Sequence, residues 1–154
     1  MNTRLVLTLV WLLVWSPRLE ASNPVTSSGG QNRVGCEEVA VQTILLEARG
    51  EAHQGQTSIG EVLRTRARQR GTTPCQEALR PYQFSAWNNP AVAHKVLRRA
   101  TANEWAAARA AWAESAHSEY SRGANHYHNP SVKPSWADPK RKVITIGRHI
   151  FYRL

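Results

Sequence analysis

The alternation of apolar and polar residues predicts a chain built mainly from amphipathic helices. In residues 39–48 the apolar positions recur at spacings that fit one buried stripe, and Gly50 follows where such a helix would end. A second helix is predicted from Ser58, which has capping-box spacing to Glu61, to Gly71. Its inward positions are Ile59, Val62, Leu63 and Ala67.

The other face of this second helix is strongly basic. No aromatic residues are interleaved with its arginines, as they would be in a surface that stacks on single-stranded nucleic acid. We therefore interpret this face as solvated surface and expect no specific nucleic-acid partner. The arginines are Arg64, Arg66, Arg68 and Arg70.

Two more helices are predicted further along the chain. One begins at Pro90 behind Asn89, because proline favours the first helical position. The next begins behind Thr101, which has capping-box spacing to Glu104. One face of this helix is apolar, and we expect it in the core rather than at a sugar-binding surface. Its members are Trp105, Ala108 and Trp112.

The end of the chain changes from helical to extended patterning. Residues 143–146 and 150–152 are rich in β-branched and aromatic residues and flank Gly147, which predicts a terminal hairpin. Helices followed by a small antiparallel sheet or hairpin give an α+β domain. We expect one domain, because 154 residues fall within the usual single-domain range of about 100 to 200.

The N-terminal residues have the composition of an export signal. In residues 1–21, Arg4 precedes an apolar run, and Ala21 offers a small residue for cleavage. The run is shorter than the roughly 20 apolar residues that span a bilayer, so a cleaved signal is favoured, with a signal-anchor as the alternative. Residues 22–35 follow as a flexible linker to a domain over 36–154. We expect export to the periplasm, the cell wall or the exterior, with transient membrane contact through the signal.

Charge and cysteine content agree with an exported protein. The formal net charge of +9 favours anionic cell-wall or envelope polymers as partners. The two cysteines, Cys36 and Cys75, are expected to form a disulfide in an oxidising compartment, and two free thiols are the alternative. We expect the protein to be a monomer.

Glu47 is the candidate catalytic acid. It stands beside the buried stripe in the last turn of the first helix, where partial desolvation and the negative end of the helix dipole favour a protonated carboxyl. Such a group can donate a proton to a leaving group near neutral pH. The alternative is that Glu47 and Glu51 are surface acids paired with nearby arginines.

Two loop segments carry candidate substrate-binding residues. Both concentrate aromatic and amide side chains, which stack on sugar rings and bond to hydroxyl and acetamido groups, although each aromatic taken alone also suits core packing. The first segment supplies Gln83, Phe84, Ser85 and Trp87. The second supplies Tyr127, His128 and Asn129, followed by Pro134 and Trp136.

Taken together, these motifs resemble a known family. Residues 47–51 (Glu-Ala-Arg-Gly-Glu), 83–85 (Gln-Phe-Ser), 126–130 (His-Tyr-His-Asn-Pro) and 146–152 have the order and spacing of SleB-type cell wall hydrolases, the spore cortex lytic enzymes. The resemblance implies a compact, helical, lysozyme-like fold that cleaves peptidoglycan glycan strands, with Glu47 as the acid. A short, basic, exported form also suits a bacteriophage endolysin.

The reaction expected from these residues uses one acid. Glu51 lies four positions from Glu47, which does not fit carboxyls on opposite sides of a scissile bond. We expect Glu47 to act alone, with the muramic acid C6 hydroxyl as nucleophile, in a lytic transglycosylation that gives 1,6-anhydromuramoyl ends. Glu51 is then structural, a modulator of Glu47 or a substrate contact.

Three alternatives remain open from the sequence. The first is a hydrolytic muramidase or endolysin in which water attacks. The second is a zinc amidase using His126, His128 and Glu47, although no HExxH motif is present and we expect neither a metal nor another cofactor. The third is a noncatalytic basic module that binds the cell wall.

Overall fold

The computed structural model describes residues 28–154, with side chains from residue 35 onward. The predicted signal, residues 1–21, lies outside the described residues. The α-helices are α1 (Ser28–Ala48), α2 (His53–Arg70), α3 (Pro74–Ala78), α4 (Pro90–Arg99) and α5 (Ala102–Glu114). The strands are β1 (His126–His128), β2 (Lys142–Ile146) and β3 (His149–Tyr152). The predicted α+β class, with a mainly helical body and a small antiparallel sheet, is confirmed.

Helix α1 is longer than its apolar stripe. It includes residues 28–35, for which the sequence predicts a flexible linker. A helix nucleated by its packed part adds one hydrogen bond for each further residue, so it can extend beyond the residues that bury apolar surface. The end of α1 agrees with the prediction, because Gly50 has a φ of +81°, a left-handed conformation that glycine adopts without steric cost.

The core lies where α1, α2 and α5 pack on one another. The predicted apolar stripes face it, and each fully buried large aliphatic or aromatic side chain contributes about 1.5 to 3 kcal/mol. Phe84 from the loop after α3 and Phe151 from β3 close the core from the side of the sheet. The buried helical residues include Val41, Ile44, Leu45, Ile59, Val62, Leu63, Ala108 and Trp112.

Helix α2 begins earlier than predicted. The prediction of a capping box at Ser58 and Glu61 is wrong, because the helix starts at His53. The Ser58 hydroxyl instead donates to the carbonyl of Gln54 at 2.8 Å. Glu61 is 5% exposed and belongs to a tertiary network instead. Its carboxyl accepts hydrogen bonds from the Ser118 hydroxyl and from backbone amides of the following loop, residues 120 and 121. The hydrogen-bond donors of that loop need a buried acceptor, which explains why a glutamate is buried at this position.

The interpretation of the α2 arginines as a solvated face is also wrong in part. Arg66 is only 7% exposed, and its guanidinium donates to the carbonyls of Asn125 at 2.5 Å and Gln83 at 3.0 Å. Arg64 lies 3.5 Å above the ring of Trp112. The loops before the sheet cover this side of α2, and their unpaired carbonyls require donors.

The short helix α3 was not predicted. Thr73 and Gln76 form a capping box at its start, but five residues are too few for a periodic apolar pattern. The predicted disulfide is present, and Cys36–Cys75 joins α1 to α3 with a Cα–Cα distance of 4.9 Å. The predicted starts of α4 and α5 are confirmed, because the side chains of Asn89 and Thr101 accept the expected capping hydrogen bonds.

The sheet has the strand order β1-β3-β2, with both pairs antiparallel. The hairpin of β2 and β3 was predicted, whereas β1 has only three residues and no strand pattern of its own. Pairing of Tyr127 with Phe151 places β1 beside the core strand β3. No helix in the described part of the chain is both long enough and apolar enough to cross a membrane.

Loss of the disulfide should lower stability. In a Cys36→Ser/Cys75→Ser variant we expect the free energy of unfolding to fall by about 2 to 4 kcal/mol, because the bond closes a long loop and restricts the unfolded chain. Urea unfolding followed by circular dichroism measures this change. Coinciding unfolding midpoints for the variant and the parent chain would contradict it.

Candidate active site

The end of α1 presents the Glu47 carboxyl to the loop that follows α3. The Oε1 atom of Glu47 accepts hydrogen bonds from the backbone N–H of Ala86 at 3.3 Å and from the Ser85 hydroxyl at 3.5 Å. Both donors belong to the 3-10 helix Ser85–Asn88. Its Oε2 atom accepts from the Tyr127 hydroxyl at 3.0 Å. Donors from two separate segments therefore hold the half-buried carboxyl in one orientation.

Glu47 opens into a cleft of about 420 Å³ between the helical body and the sheet. Its lining combines aromatic rings with hydroxyl, amide and imidazole groups, the mixture that recognises sugars and other polar ring compounds. Among the residues described for this lining, Glu47 is the only carboxyl group. The residues that line the cleft are Glu47, Ser85, Tyr127, His128, Asn129, Val132, Pro134, Trp136 and His149.

Tyr127 connects the sheet to Glu47. Burial and the nearby charge of Glu47 raise the pKa of the Tyr127 hydroxyl well above its usual value, so it remains a proton donor at all ordinary pH values. Its ring meets the ring of His149 edge-on, with centroids 5.1 Å apart. Burial also lowers the pKa of His149, whose Nδ1 is buried without a hydrogen-bond partner among the described residues. Burial therefore favours the neutral form of His149 in the cleft lining.

Aromatic stacking shapes the part of the cleft that His128 and Trp136 line. The His128 ring stacks on Tyr152, with centroids 5.3 Å apart, and its Nε2 lies 3.0 Å from the Tyr152 hydroxyl. Trp136 packs edge-on against both rings. Because each ring is held by the others, this side of the cleft is fixed before a ligand enters.

Glu51 lies outside the cleft lining and fixes the β2–β3 turn. Its carboxyl is 5% exposed and accepts hydrogen bonds from the Arg148 guanidinium at 2.7 Å and the Arg148 backbone N–H at 3.2 Å. Burial opposes ionisation, but these hydrogen bonds and the neighbouring charges outweigh it and lower the pKa of Glu51. Gly147 has a φ of +55°, and a Cβ atom there would overlap Oε2 of Glu51.

The structure brings together part of the predicted substrate-binding set. Ser85, Tyr127, His128 and Asn129 line the cleft with Glu47. The other four candidates lie outside its lining.

The candidates outside the lining contact the protein instead. Phe84 is 1% exposed and packs in the core. The Trp87 indole N–H donates to the Thr43 hydroxyl at 2.9 Å, and the Gln83 side-chain oxygen accepts from Arg70 at 2.9 Å. Glu51 forms the ion pair with Arg148 described above.

Val132 and His149 line the cleft although the sequence did not single them out as binding residues. Val132 is 52% exposed, and a lone apolar residue in a loop gives no sequence signal. His149 is the first residue of β3, so its position follows from the register of the hairpin, which pairs it with Ile146. In the sequence, only its place within the 146–152 motif pointed to a role for His149 at the site.

The structure does not bring His126 into the cleft lining. Burial, with the charges of Arg66 and Arg70, lowers the pKa of His126 to about 4. Both nitrogens of His128 have protein partners, the carbonyl of Asn129 and the Tyr152 hydroxyl. Within residues 28–154 there is no group of three or more His, Cys, Asp or Glu side chains arranged to hold a metal ion.

Larger cavities lie elsewhere on the molecule. One of about 500 Å³ is bordered by Glu61, and another of about 720 Å³ lies beside the disulfide. The carboxyl of Glu61 is already occupied by three hydrogen bonds from the loop after α5, so it has a structural role. We assign the candidate active site to the smaller cleft, because it joins an acid to convergent aromatic and polar groups.

Comparisons with known proteins show the family and the fold, and the family match begins after Glu47. The Cell Wall Hydrolase family matches the chain over residues 50–152, which includes Glu51 and the cleft residues from Ser85 onward. The fold is similar to that in the crystal structure of the catalytic domain of the Bacillus cereus SleB protein, with a TM-score of 0.63 and 23% sequence identity. The alignment covers 78% of this chain and 91% of that domain. At this level of sequence identity, the match shows a similarity of fold. No curated protein matches the sequence.

Removing the Arg148 side chain should destabilise the fold in a pH-dependent way. At pH 7 we expect Arg148→Gln to lower the free energy of unfolding by about 1 to 2 kcal/mol, because the buried Glu51 carboxylate loses a charged donor while Arg148 itself is largely exposed. A lowered pKa in the folded state stabilises the fold above the ordinary glutamate value of about 4.3, and this stabilisation disappears as the pH falls further. The difference between parent and variant should therefore shrink below about pH 4.

Urea unfolding at a series of pH values measures this effect. The matched control is Arg99→Gln, which removes the same charge from an exposed position at the end of α4. A stability difference that is independent of pH, or equal to that of the control, would contradict the role of the ion pair.

Proposed function

Because this chain belongs to the Cell Wall Hydrolase family, we propose that it cleaves the glycan strands of peptidoglycan with Glu47 as its single catalytic acid. The observation that carries the proposal is the position of Glu47. It is the one carboxyl among the described cleft residues, and donors from two segments fix its orientation. A general acid needs this combination of access to substrate and fixed geometry.

The composition of the cleft supports a glycan as substrate. Trp136, Tyr127 and His128 offer ring faces or edges, and Asn129 and Ser85 offer hydrogen-bonding groups. The N-acetylated sugars of peptidoglycan present both apolar ring faces and acetamido groups, so they complement such a surface. An open cleft also suits cleavage within a polymer, whose ends must extend beyond the site.

The proposed reaction begins with proton transfer from Glu47 to the oxygen that bridges two sugars. The bond from C1 of muramic acid to that oxygen breaks, and the C6 hydroxyl of the same muramic acid forms a new bond to C1. The Glu47 carboxylate then takes the proton of that hydroxyl, which restores the acid and leaves a 1,6-anhydromuramoyl end. The reaction consumes no water and needs no second carboxyl.

The contacts of Glu47 support its role in both steps. When Glu47 gives up its proton, the N–H of Ala86 and the hydroxyls of Ser85 and Tyr127 are already aimed at the new negative charge. Donors placed in advance stabilise charge as it develops in the transition state. Tyr127 suits this task because its raised pKa keeps its proton in place.

Lytic transglycosylation is favoured over a mechanism with two carboxyls by the position of Glu51. The Glu51 carboxyl is buried in the ion pair with Arg148 and does not line the cleft. Glycosidases that use two carboxyls place both beside the scissile bond, about 5 to 9.5 Å apart. A nucleophile supplied by the substrate removes that requirement.

We further propose that the protein acts outside the cytoplasm as a monomer. Its disulfide suits an oxidising compartment, and residues 1–21 have the composition of a signal. The net charge of +9 favours adsorption to anionic wall or envelope polymers, which would hold the enzyme near its substrate.

The central test is the Glu47→Gln variant of the full chain. We expect it to release soluble muropeptides from purified peptidoglycan at least about 100-fold more slowly, because glutamine cannot donate the required proton. Mass spectrometry of the released products should show anhydromuramoyl ends for the parent chain. Its circular dichroism spectrum should match that of the parent.

The matched control is Glu38→Gln, on the same helix but outside the cleft, where the carboxyl pairs with Arg109 at the surface. It should keep full activity. Substantial turnover by Glu47→Gln would refute the acid assignment. Reducing muramic acid ends would show that water attacks C1, and free stem peptides from intact glycan would show an amidase.

Tyr127→Phe tests the hydroxyl that donates to Glu47. We expect kcat to fall by about 10-fold, equivalent to about 1.4 kcal/mol, because the carboxylate formed in the reaction loses one of its donors while the ring packing stays. The control Tyr120→Phe removes a hydroxyl that bonds to Glu114, outside the cleft. Equal kcat values for the two variants would contradict a role for Tyr127 in the reaction.

A further inference from the structure

Tyr82 is an exposed aromatic residue in the loop that contacts Glu47. Its side chain is 87% exposed, more than any other large hydrophobic residue in the described part of the chain. Three residues later, Ser85 lines the cleft, and Ala86 donates to Glu47 at 3.3 Å. Folding alone gives no reason to place a tyrosine at this position, because its ring buries little surface.

The backbone at Tyr82 is strained for a residue with a large side chain. Its φ is +64°, a left-handed conformation that glycine and asparagine adopt far more readily than tyrosine. The N–H of Gln83 donates to the carbonyl of Arg80 at 3.2 Å, so residues 80–83 form a β-turn with Pro81 in its second position. A positive φ at the third position of such a turn is characteristic of type II, where glycine or asparagine is usual.

A hydrogen bond of Tyr82 ties the turn to the active-site segment. Its N–H donates to the side-chain oxygen of Asn88 at 3.2 Å, across the 3-10 helix that carries Ser85 and Ala86. Three residues span at most about 10 Å, so the Tyr82 Cα lies no farther than that from the Cα of Ser85. The Tyr82 backbone is therefore tied to the segment that carries Ser85 and Ala86, and its ring is exposed close along the chain to residues of the cleft.

We propose that Tyr82 is a stacking surface for a sugar residue of the peptidoglycan strand outside the cleft, an additional subsite that lengthens the bound segment. This inference rests on the proposed function, because it takes the glycan as the ligand. Strained backbone at non-glycine residues clusters at active sites and ligand-binding segments. A solvent-exposed ring on the segment that carries Ser85 and Ala86 offers such a use, since the apolar face of a sugar ring packs on an aromatic face.

The variant that isolates the ring is Tyr82→Asn, because asparagine suits the turn and lacks the aromatic face. We expect its KM for long glycan strands freed of stem peptides to rise by about 3- to 10-fold, with kcat unchanged. For the shortest oligosaccharide that the parent enzyme cleaves, KM should not change. Tyr82→Phe keeps the ring and should match the parent on both substrates.

Two further measurements separate binding from folding. The thermal unfolding midpoint of Tyr82→Asn should equal or exceed that of the parent, because the turn is relieved of strain. The matched control Tyr120→Asn removes another exposed tyrosine, in the loop that surrounds Glu61, and should leave both KM values unchanged. An unchanged KM for long strands in Tyr82→Asn, a loss of affinity shared by Tyr82→Phe, or a lower unfolding midpoint would overturn the proposal.

Binding without turnover distinguishes this inference from the proposed function. In a Glu47→Gln background, co-sedimentation with insoluble peptidoglycan should show weaker binding when Tyr82→Asn is added. If Glu47→Gln abolishes cleavage but Tyr82→Asn changes neither KM nor co-sedimentation, the subsite alone is refuted. If Glu47→Gln retains cleavage, the catalytic assignment fails, and the co-sedimentation result still decides whether Tyr82 binds the strand.

Discussion

The hydrogen bond from Tyr127 to Glu47 joins the two parts of the molecule on which the site depends. Glu47 belongs to the end of α1 and Tyr127 to the short strand β1, residues far apart in sequence but 3.0 Å apart at their oxygens. Tyr127 can reach the acid only because β1 pairs with β3, and β3 packs Phe151 into the helical core. Packing of the sheet on the helices is therefore a condition for the geometry of the acid, and the ion pair of Glu51 with Arg148 secures the same junction from its other end.

The partly or fully buried glutamates near the core have distinct environments, and these explain why one of them is the catalytic candidate. Glu77 pairs with Arg70, Glu51 with Arg148, and Glu61 is surrounded by donors from the loop after α5. Each of these carboxyls holds two segments together. Glu47 also accepts hydrogen bonds from two segments, but it additionally borders the cleft. A cleft that combines aromatic and polar groups, rather than burial alone, distinguishes it from the other three.

Local patterns in the sequence predicted the elements whose signals are local. The caps at Asn89 and Thr101, the end of the first helix at Gly50 and the terminal hairpin needed only neighbouring residues. Tertiary contacts explain the predictions that were wrong. Ser58 and Glu61 have the spacing of a cap, yet a distant loop takes the Glu61 carboxyl, and Arg66 is buried because distant carbonyls need its guanidinium. Within the site, helix position and motif made Glu47 the candidate acid. The sequence could not tell that Ser85 lines the cleft while Phe84 and Trp87 contact the protein, because that depends on how one loop packs.

Because Gly147 has no side chain, it leaves space that the carboxyl of Glu51 fills. The oxygen of Glu51 that receives the Arg148 N–H fills the space that a side chain at position 147 would require. The identities of these two residues are therefore not independent, although they are distant in the sequence. Any homologue with a larger residue at the turn must place its acid differently or lack it, and would then need another way to hold the sheet against α1. Covariation between these two positions would record that constraint across related sequences.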